Sequence, residues 1–262
     1  MARQHPPLDY AFAVGRIRAL ENYLIPQPVF REAASAESPE RALEIISDAG
    51  KYGEDLLLAG SPEALDRVLK KERIALDFTL QELFLEKEEF DLYRALEDLA
   101  QASAMGSKVE NLFIREYLTK KIDLSNLKLF LRCRYLEKPA SCLEENFISG
   151  GSLERKFFSE HLETPLEDFA SALRAYPYAE VWKQGVSFLL AQESFIVFER
   201  EAENLLMEIL KKARQITFGP EILFAYGLAR KQELKLVRLV LVGKMLGLPE
   251  NIIKERITQT YV

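Results

Sequence analysis

Histidine and cysteine are scarce in this sequence, which limits the chemistry that the chain can support. Two histidines, His5 and His161, and two cysteines, Cys133 and Cys142, occur in 262 residues. No His-Glu-x-x-His segment and no Cys-x-x-Cys pair is present, so the usual spacings of a zinc site are missing. With so few thiols, we expect both cysteines to be reduced in a cytosolic protein.

Phosphate-binding loops and nucleophile motifs are also missing. Gly243-Lys244 lacks the earlier glycine and the following hydroxyl residue of a P-loop, and Gly150-Gly151 lacks the context of a dinucleotide-binding turn. No serine lies in a nucleophile elbow. The many carboxylates fall at helix positions that face solvent, and none forms an isolated pair. We therefore predict a non-catalytic chain with no cofactor, no metal and no small-molecule substrate.

Long apolar runs and an excess of basic residues are absent too. No uncharged run of about 18 residues is present, so no membrane span is expected, and the opening residues lack the apolar core of a signal peptide. Acidic residues outnumber basic ones by 41 to 35, which gives a formal net charge of −6. A nucleic-acid-binding protein would show a basic surface, so we expect no nucleic-acid partner.

Glycine and proline are few, and charge is plentiful. The chain has 12 Gly, 11 Pro and 29% charged residues beside 48% hydrophobic ones, proportions that favour long helices with short loops. No segment alternates polar and apolar residues between hairpin turns. The sequence therefore predicts an all-α protein built from helical bundles.

One stretch of the chain occurs twice. Residues 228–257 align on residues 118–147 without a gap, so that equivalent positions differ by 110 in number. Leu124 matches Leu234, and Pro139 matches Pro249. A unit of this length is too long for a solenoid repeat, so it indicates a duplicated helical bundle.

Within each copy the same stripe of residues lies on one face of a helix. It runs from Asp123 to Arg134 in the first copy and from Glu233 to Lys244 in the second, in the order acid, apolar, apolar, base. The simpler interpretation is structural: the apolar middle packs, and the end charges suit the helix dipole. The alternative is that the end charges join neighbouring bundles or bind a partner.

Breakers and capping residues divide the remaining chain. Ser38-Pro39 and Thr164-Pro165 each open a short helical segment that ends near a tyrosine, Tyr52 or Tyr178. We expect three bundles, the first of them shortened or altered in its order. They cover residues 1–84, 85–190 and 191–262.

Four further boundaries follow from the same signals. We expect Asp9 to cap a helix over Leu8–Leu24, and Leu85–Ser103 to form one helix. A break at Asp123 would let its side chain cap a second helical piece. The final helix should begin at Pro249-Glu250 and continue to Val262.

Basic residues cluster at three places in the helical pattern. Each cluster suits a solvated helix end, or an electrostatic contact with an acidic partner or a lipid surface. Arg230 and Lys231 are our candidates for partner contact. The clusters are Lys120-Lys121, Lys211–Arg214 and Arg230-Lys231.

Four ordered motifs span nearly the whole chain. They are Tyr10-Ala-Phe-Ala-x-x-Arg16-x-Arg18, Ile122-Asp123-Leu-x-Asn126-Leu-Lys-x-x-Leu-Arg132, Phe147-Ile148-x-Gly150-Gly151, and Lys231-x-Glu233-Leu-Lys-x-x-Arg238-Leu with Gly243-Lys244 and Tyr261-Val262. In this order they resemble the C subunits of A/V-type rotary ATPases, the AC39 family.

The resemblance implies three related helical bundles, in pseudo-threefold arrangement, around a funnel. Such a subunit joins the central-stalk rotor subunits to the membrane proteolipid ring and transmits torque during ion transport. It would be peripheral, on the cytoplasmic side of the membrane, and basic ends such as Arg230-Lys231 would meet acidic loops of the ring. The alternative is a generic helical adaptor outside a rotary ATPase.

Overall fold

The computed structural model describes residues 5–50 and 52–262. These residues contain helices and no β-strand, so the all-α prediction is confirmed. None of the described helices combines the length and the apolar composition needed to cross a bilayer. The α-helices are α1 (Ala11–Glu21), α2 (Gln27–Ser35), α3 (Pro39–Gly50), α4 (Glu54–Leu57), α5 (Pro62–Leu83), α6 (Lys87–Ala95), α7 (Leu99–Gly106), α8 (Leu112–Tyr135), α9 (Ser141–Asn146), α10 (Arg155–Ser159), α11 (Phe169–Ala172), α12 (Ala179–Gln192), α13 (Ile196–Lys211), α14 (Pro220–Met245) and α15 (Glu250–Glu255), and short 3-10 helices cover Pro7–Tyr10 and Lys212–Gln215.

The chain divides into two compact units. The central unit is Arg94–Leu206, and the terminal unit is formed by both ends of the chain, up to Tyr93 and from Met207 onward. The three-bundle division at 1–84, 85–190 and 191–262 stays a prediction, as does the funnel.

Helix α14 is the axis of the terminal unit. It begins at Pro220, which suits a first helical position because it has no amide hydrogen to leave unpaired. Apolar residues occur around most of its circumference, so α1, α2, α3 and α5 can all pack against it. Small buried residues such as Ala33 and Ala42 let α2 and α3 lie close to it. Their larger core neighbours include Phe30, Ile46, Leu65, Val237, Val240 and Leu241.

An aromatic cluster holds the central unit together around α8. The ring of Phe130 on α8 lies 4.9 Å from that of Phe169, which lies 4.6 Å from that of Trp182. The Trp182 indole N–H donates to the Leu166 carbonyl at 2.7 Å, so the polar atom of this buried residue has a partner. The cluster fixes the short helices α10 and α11 against α8 and α12.

One capping prediction is confirmed, and others are wrong. The Ser38 hydroxyl accepts a hydrogen bond from the amide three residues later, as expected of an N-cap, and the Ser61 hydroxyl does the same at the start of α5. The segment that Thr164-Pro165 should open as a helix begins with turns, and helix α11 starts only at Phe169. Asp123 caps nothing, because α8 runs unbroken through it from a cap at Asn111. Asp9 is not a cap either, since a 3-10 turn precedes α1.

Two helices are shorter than expected. The predicted helix Leu85–Ser103 is split into α6 and α7, because the Asp98 carboxylate accepts the amides that open α7. The last helix ends at Glu255 and does not reach Val262. The residues after it contact the start of α2: the backbone amide of Gln27 donates to the Thr260 hydroxyl at 2.9 Å.

The prediction of two reduced thiols is wrong. Cys133 on the last turns of α8 and Cys142 on α9 are joined in a disulfide. The turn between the helices brings their Cα atoms to 6.5 Å, within the range that a disulfide spans. Sequence spacing alone does not reveal this approach.

The two long helices end in the same way, at positions that differ by 110 in number. Helices α8 and α14 stop at Tyr135 and Met245, and two residues later Glu137 and Gly247 adopt left-handed conformations with φ of 50° and 68°. The same backbone bond closes both turns, from residue 138 to residue 133 at 2.8 Å and from residue 248 to residue 243 at 2.9 Å. Both helices therefore end in a Schellman-type C-cap with a left-handed residue.

Because a side chain in the left-handed region costs about 1–2 kcal/mol, Glu137→Gly should raise the free energy of unfolding by about 0.5–1 kcal/mol. Gly247→Ala should lower it by about 1 kcal/mol. Urea unfolding measures both changes. Glu137→Ala is the control, since it removes the carboxylate and keeps the Cβ; an equal gain in that variant would contradict the explanation.

A buried carboxylate attaches the first 3-10 turn to α6. The Tyr10 hydroxyl donates to Glu89 at 3.2 Å, and Glu89 is 8% exposed. The pKa of Glu89 is raised to about 7, chiefly by burial and also by Glu221, Glu86 and Glu88, against the lowering effect of the Tyr10 hydrogen bond. The fold therefore favours the protonated acid.

A raised acid pKa stabilises the fold at low pH, and this contribution disappears as pH rises from about 4.5 to 7. The Glu89→Gln variant should lose this dependence and be more stable than the parent at pH 8 by on the order of 2 kcal/mol. Thermal unfolding between pH 4.5 and 8 measures the difference. Exposed Glu88→Gln is the control, and parallel stability curves for parent and Glu89→Gln would contradict the prediction.

Candidate partner-contact site

The acid of the repeated stripe in the terminal unit is buried and fully engaged. Glu233 on α14 is 4% exposed. Its carboxylate accepts the Ile25 amide at 2.6 Å and the Tyr52 hydroxyl at 3.1 Å, and it pairs with Arg230. Burial raises the pKa of Glu233, while Arg230, the Ile25 amide and Tyr52 lower it. The carboxylate thus ties α14 to the segments before α2 and after α3.

The acid of the central unit has matching partners. Asp123 on α8 is fully buried. Its carboxylate accepts the Leu153 amide at 2.9 Å and the Tyr178 hydroxyl at 2.6 Å, and a third bond comes from the Ser152 hydroxyl. In both units, therefore, one backbone amide and one tyrosine hydroxyl hold the stripe acid. We call this arrangement the carboxylate clamp.

The bases that end the stripe also take equivalent partners. The Lys244 ammonium donates to the Ala36 carbonyl at 2.5 Å, in the loop between α2 and α3. The Arg134 guanidinium donates to the carbonyls of His161 and Thr164 at 3.1 and 3.0 Å, in the loop between α10 and α11. Each long helix therefore holds its tyrosine-bearing segment at both ends of the stripe. We propose that Asp123, Arg134, Glu233 and Lys244 have a structural role.

A cation covers the clamp tyrosine in each unit. The Arg230 guanidinium lies 4.6 Å from the Tyr52 ring centroid, and the Lys120 ammonium lies 5.4 Å from that of Tyr178. Residues 120 and 230 are equivalent by the offset of 110. A cation over a tyrosine face is attracted by the ring quadrupole, so both contacts support the clamp.

Arg230, one of the two candidate contact residues, lies largely inside the terminal unit. Its side chain is 12% exposed and bonds Glu72 on α5 at 2.9 Å as well as Glu233. Burial lowers the pKa of Arg230, but Tyr52 and Glu233 raise it more, so the pKa lies above its ordinary value. The guanidinium therefore joins α5 to the clamp.

Lys231, the other candidate, is also packed within its unit. Its ammonium lies 4.0 Å from the Tyr93 ring centroid and 3.7 Å from Asp77, and the side chain is 13% exposed. A role for Arg230 and Lys231 in partner contact stays a prediction.

An open groove in the terminal unit is lined by Arg230. Helices α1 and α5 both pack against α14, and a space of about 410 Å³ is left between them. Tyr226 and Arg230 of α14 form its floor. Its walls are Leu20, Tyr23 and Leu24 from α1 and the turns after it, Gly50 from α3, and Glu72, Ala75, Leu76 and Thr79 from α5.

The groove has the size of a ligand pocket. Within residues 5–50 and 52–262, no three His, Cys, Asp or Glu side chains are grouped so that they could hold a metal ion. No sequence pattern indicates the groove, because its lining comes from four helices that are distant in the chain.

Comparison with known proteins places this chain in a family. A family model described as ATP synthase (C/AC39) subunit matches residues 57–256. The chain belongs to this family. The resemblance drawn from the sequence motifs is therefore confirmed.

Two curated relatives are similar to the chain. It is 24% identical over 163 residues to the C subunit of the V-type sodium ATPase of Enterococcus hirae, a match that covers 62% of this chain and 49% of that protein. It is 27% identical over 143 residues to the C subunit of the A-type ATP synthase of Haloferax volcanii, covering 53% of this chain and 40% of that protein. The chain thus spans less than half the length of the curated relatives it matches.

The clamp can be tested without knowing any partner. Tyr52→Phe and Tyr178→Phe each remove one hydrogen bond to a buried carboxylate and should each lower the free energy of unfolding by about 1.5–3 kcal/mol. Tyr176→Phe is the matched control, since its ring stacks beside Tyr178, and it should change stability by less than about 0.5 kcal/mol. Denaturant unfolding measures all three; equal effects in the three variants would contradict the clamp.

Proposed function

We propose that this chain is a non-catalytic coupling subunit of an A/V-type rotary ATPase. It connects the central-stalk rotor subunits to the membrane proteolipid ring and transmits torque during ion transport. It lies peripherally, on the cytoplasmic side of the membrane. Family membership carries this proposal, because the family model covers residues 57–256 and both relatives are named as C subunits of such ATPases.

The carboxylate clamps support a mechanical role. A part that transmits torque must resist twisting, and each long helix is held by an amide, a tyrosine hydroxyl and a terminal base. Breaking one bond of a clamp leaves a buried carboxylate with one donor fewer, which costs about 1–3 kcal/mol. Small distortions of the units are therefore opposed by polar contacts as well as by packing.

The candidate contact residues fit this role in a specific way. Arg230 and Lys231 meet acids of their own unit, so we propose that they act by holding the floor and walls of the groove in place. A partner would then meet a surface that is already formed. Interfaces that must release and rebind are of modest size with polar rims.

Deletion of the chain from its native host tests the function. We expect ATP-driven ion transport by membrane vesicles to fall to background, while the catalytic part of the complex still hydrolyses ATP. Re-expression of the parent chain should restore transport.

A tagged chain, purified from solubilised membranes, should bring stalk subunits and the ring proteolipid with it. Unchanged transport after deletion, together with purification away from both partners, would reject the rotary role. Recovery of a defined set of other proteins would favour the adaptor alternative.

A further inference from the structure

Helix α5 carries a hydrophobic ridge on the face that points away from its own unit. Leu65, Leu69, Leu76, Leu80 and Leu83 are buried on one side of the helix. On the other side Ile74 and Phe78 are 60% and 63% exposed. Single exposed apolar residues are normal, but two large ones placed four apart form a continuous surface.

The ridge borders the groove. Ala75, which lines the groove, lies beside Phe78 and Lys71 on the surface of α5, because the three are spaced three and four residues apart. An ion pair also joins the two helices, because Arg16 of α1 lies 3.6 Å from Glu82 of α5. Because α1 and α5 meet α14 and leave the space between them open, the surface has the form of a helix pair that lacks a third helix.

The charge beside the ridge is positive, although the whole chain carries −6. Four cations lie within the seven residues 67–73. Arg67 and Lys71 share the face of Ile74 and Phe78, since they lie seven and three residues before Ile74. The Lys71–Asp55 pair is 72% and 63% exposed, so it is weak enough to be exchanged for another partner.

The acids of α5 near the groove do not cancel this charge. Glu72 pairs with Arg230, Asp77 lies beside Lys231, and Glu82 lies beside Arg16. The ridge and groove therefore offer apolar surface with a basic end.

We propose that this surface binds an amphipathic helix of a partner protein, with acidic residues at the end that meets Arg67, Lys70 and Lys71. The apolar stripe of that helix enters the groove and covers Ile74 and Phe78, as in other helix-in-groove complexes. The basic end selects an acidic helix and sets its direction. The inference goes beyond the rotary assignment, since the same surface would select the same helix in an adaptor.

The shape of the surface favours a protein helix over a lipid membrane. A helix that lies on a membrane inserts a convex apolar face, whereas the groove beside the ridge is concave and is lined by Tyr226 and Arg230. Buried polar groups need partners that acyl chains do not offer. Side chains of a docked helix offer both apolar atoms and hydrogen-bonding groups.

Site-specific photo-cross-linking in the native host tests the proposal. A benzophenone amino acid at position 78 of the full chain should form an adduct with another protein, mapped by mass spectrometry to a helical segment rich in Asp or Glu. The Arg67→Glu/Lys70→Glu variant should lower the yield at least about tenfold, which corresponds to about 1.4 kcal/mol. Arg41→Glu, whose side chain on α3 is 59% exposed, should leave the yield unchanged.

Thermal unfolding of the variants, compared with the parent, shows whether a lost adduct reflects misfolding. Absence of a protein adduct at position 78, an adduct with lipid, an adduct with a basic or extended segment, or a yield that charge reversal does not change would each overturn the proposal. The outcome is separable from that of the rotary role. If the chain co-purifies with ring and stalk but forms no adduct, the rotary function is supported and this inference is rejected. If it forms an acidic-helix adduct in a different complex, this inference is supported and the rotary function is rejected.

Discussion

The carboxylate clamp is the interaction on which both units depend. A carboxylate removed from water costs several kcal/mol unless donors surround it, so Asp123 and Glu233 are compatible with the fold only while their amide and tyrosine partners are in place. Hydrophobic packing alone would allow the tyrosine-bearing segment to slide along the long helix. The clamp and the terminal base, Arg134 or Lys244, fix the register of that segment.

The two clamps form with different chain connections. In the central unit the acid and its amide partner are 30 residues apart, Asp123 and Leu153, whereas Glu233 and Ile25 in the terminal unit are 208 apart. Closing the longer loop costs roughly 2 kcal/mol more. The terminal unit contains an additional Arg230–Glu233 ion pair and the contact of Gln27 with Thr260. The clamp is thus set by local chemistry and not by the order of the segments along the chain.

Much of the fold follows from periodicity, and the clamp does not. The repeat at 118–147 and 228–257, the stripe order and the stop at Gly247 are local patterns that helix geometry explains. The sequence suggests a cap at Asp123 because a buried acid and a surface acid look alike in sequence. The partners of Asp123 lie 30 and 55 residues away, and such separations leave no periodic signal. The exposure of Phe78 and the Cys133–Cys142 disulfide depend on the same tertiary information.

Arg230 connects the clamp to the groove. Its guanidinium bonds Glu233 inside the clamp and Glu72 on the groove wall, and it forms part of the groove floor. A helix that enters the groove meets the same cation that neutralises the clamp carboxylate. Because coupling between two sites is reciprocal, any effect of groove occupancy on the clamp is matched by an equal effect of the clamp on binding in the groove. Substitution of Arg230 would therefore alter the groove and the clamp at once, whereas substitution of the exposed cations of α5 would alter binding at the groove and leave the clamp intact.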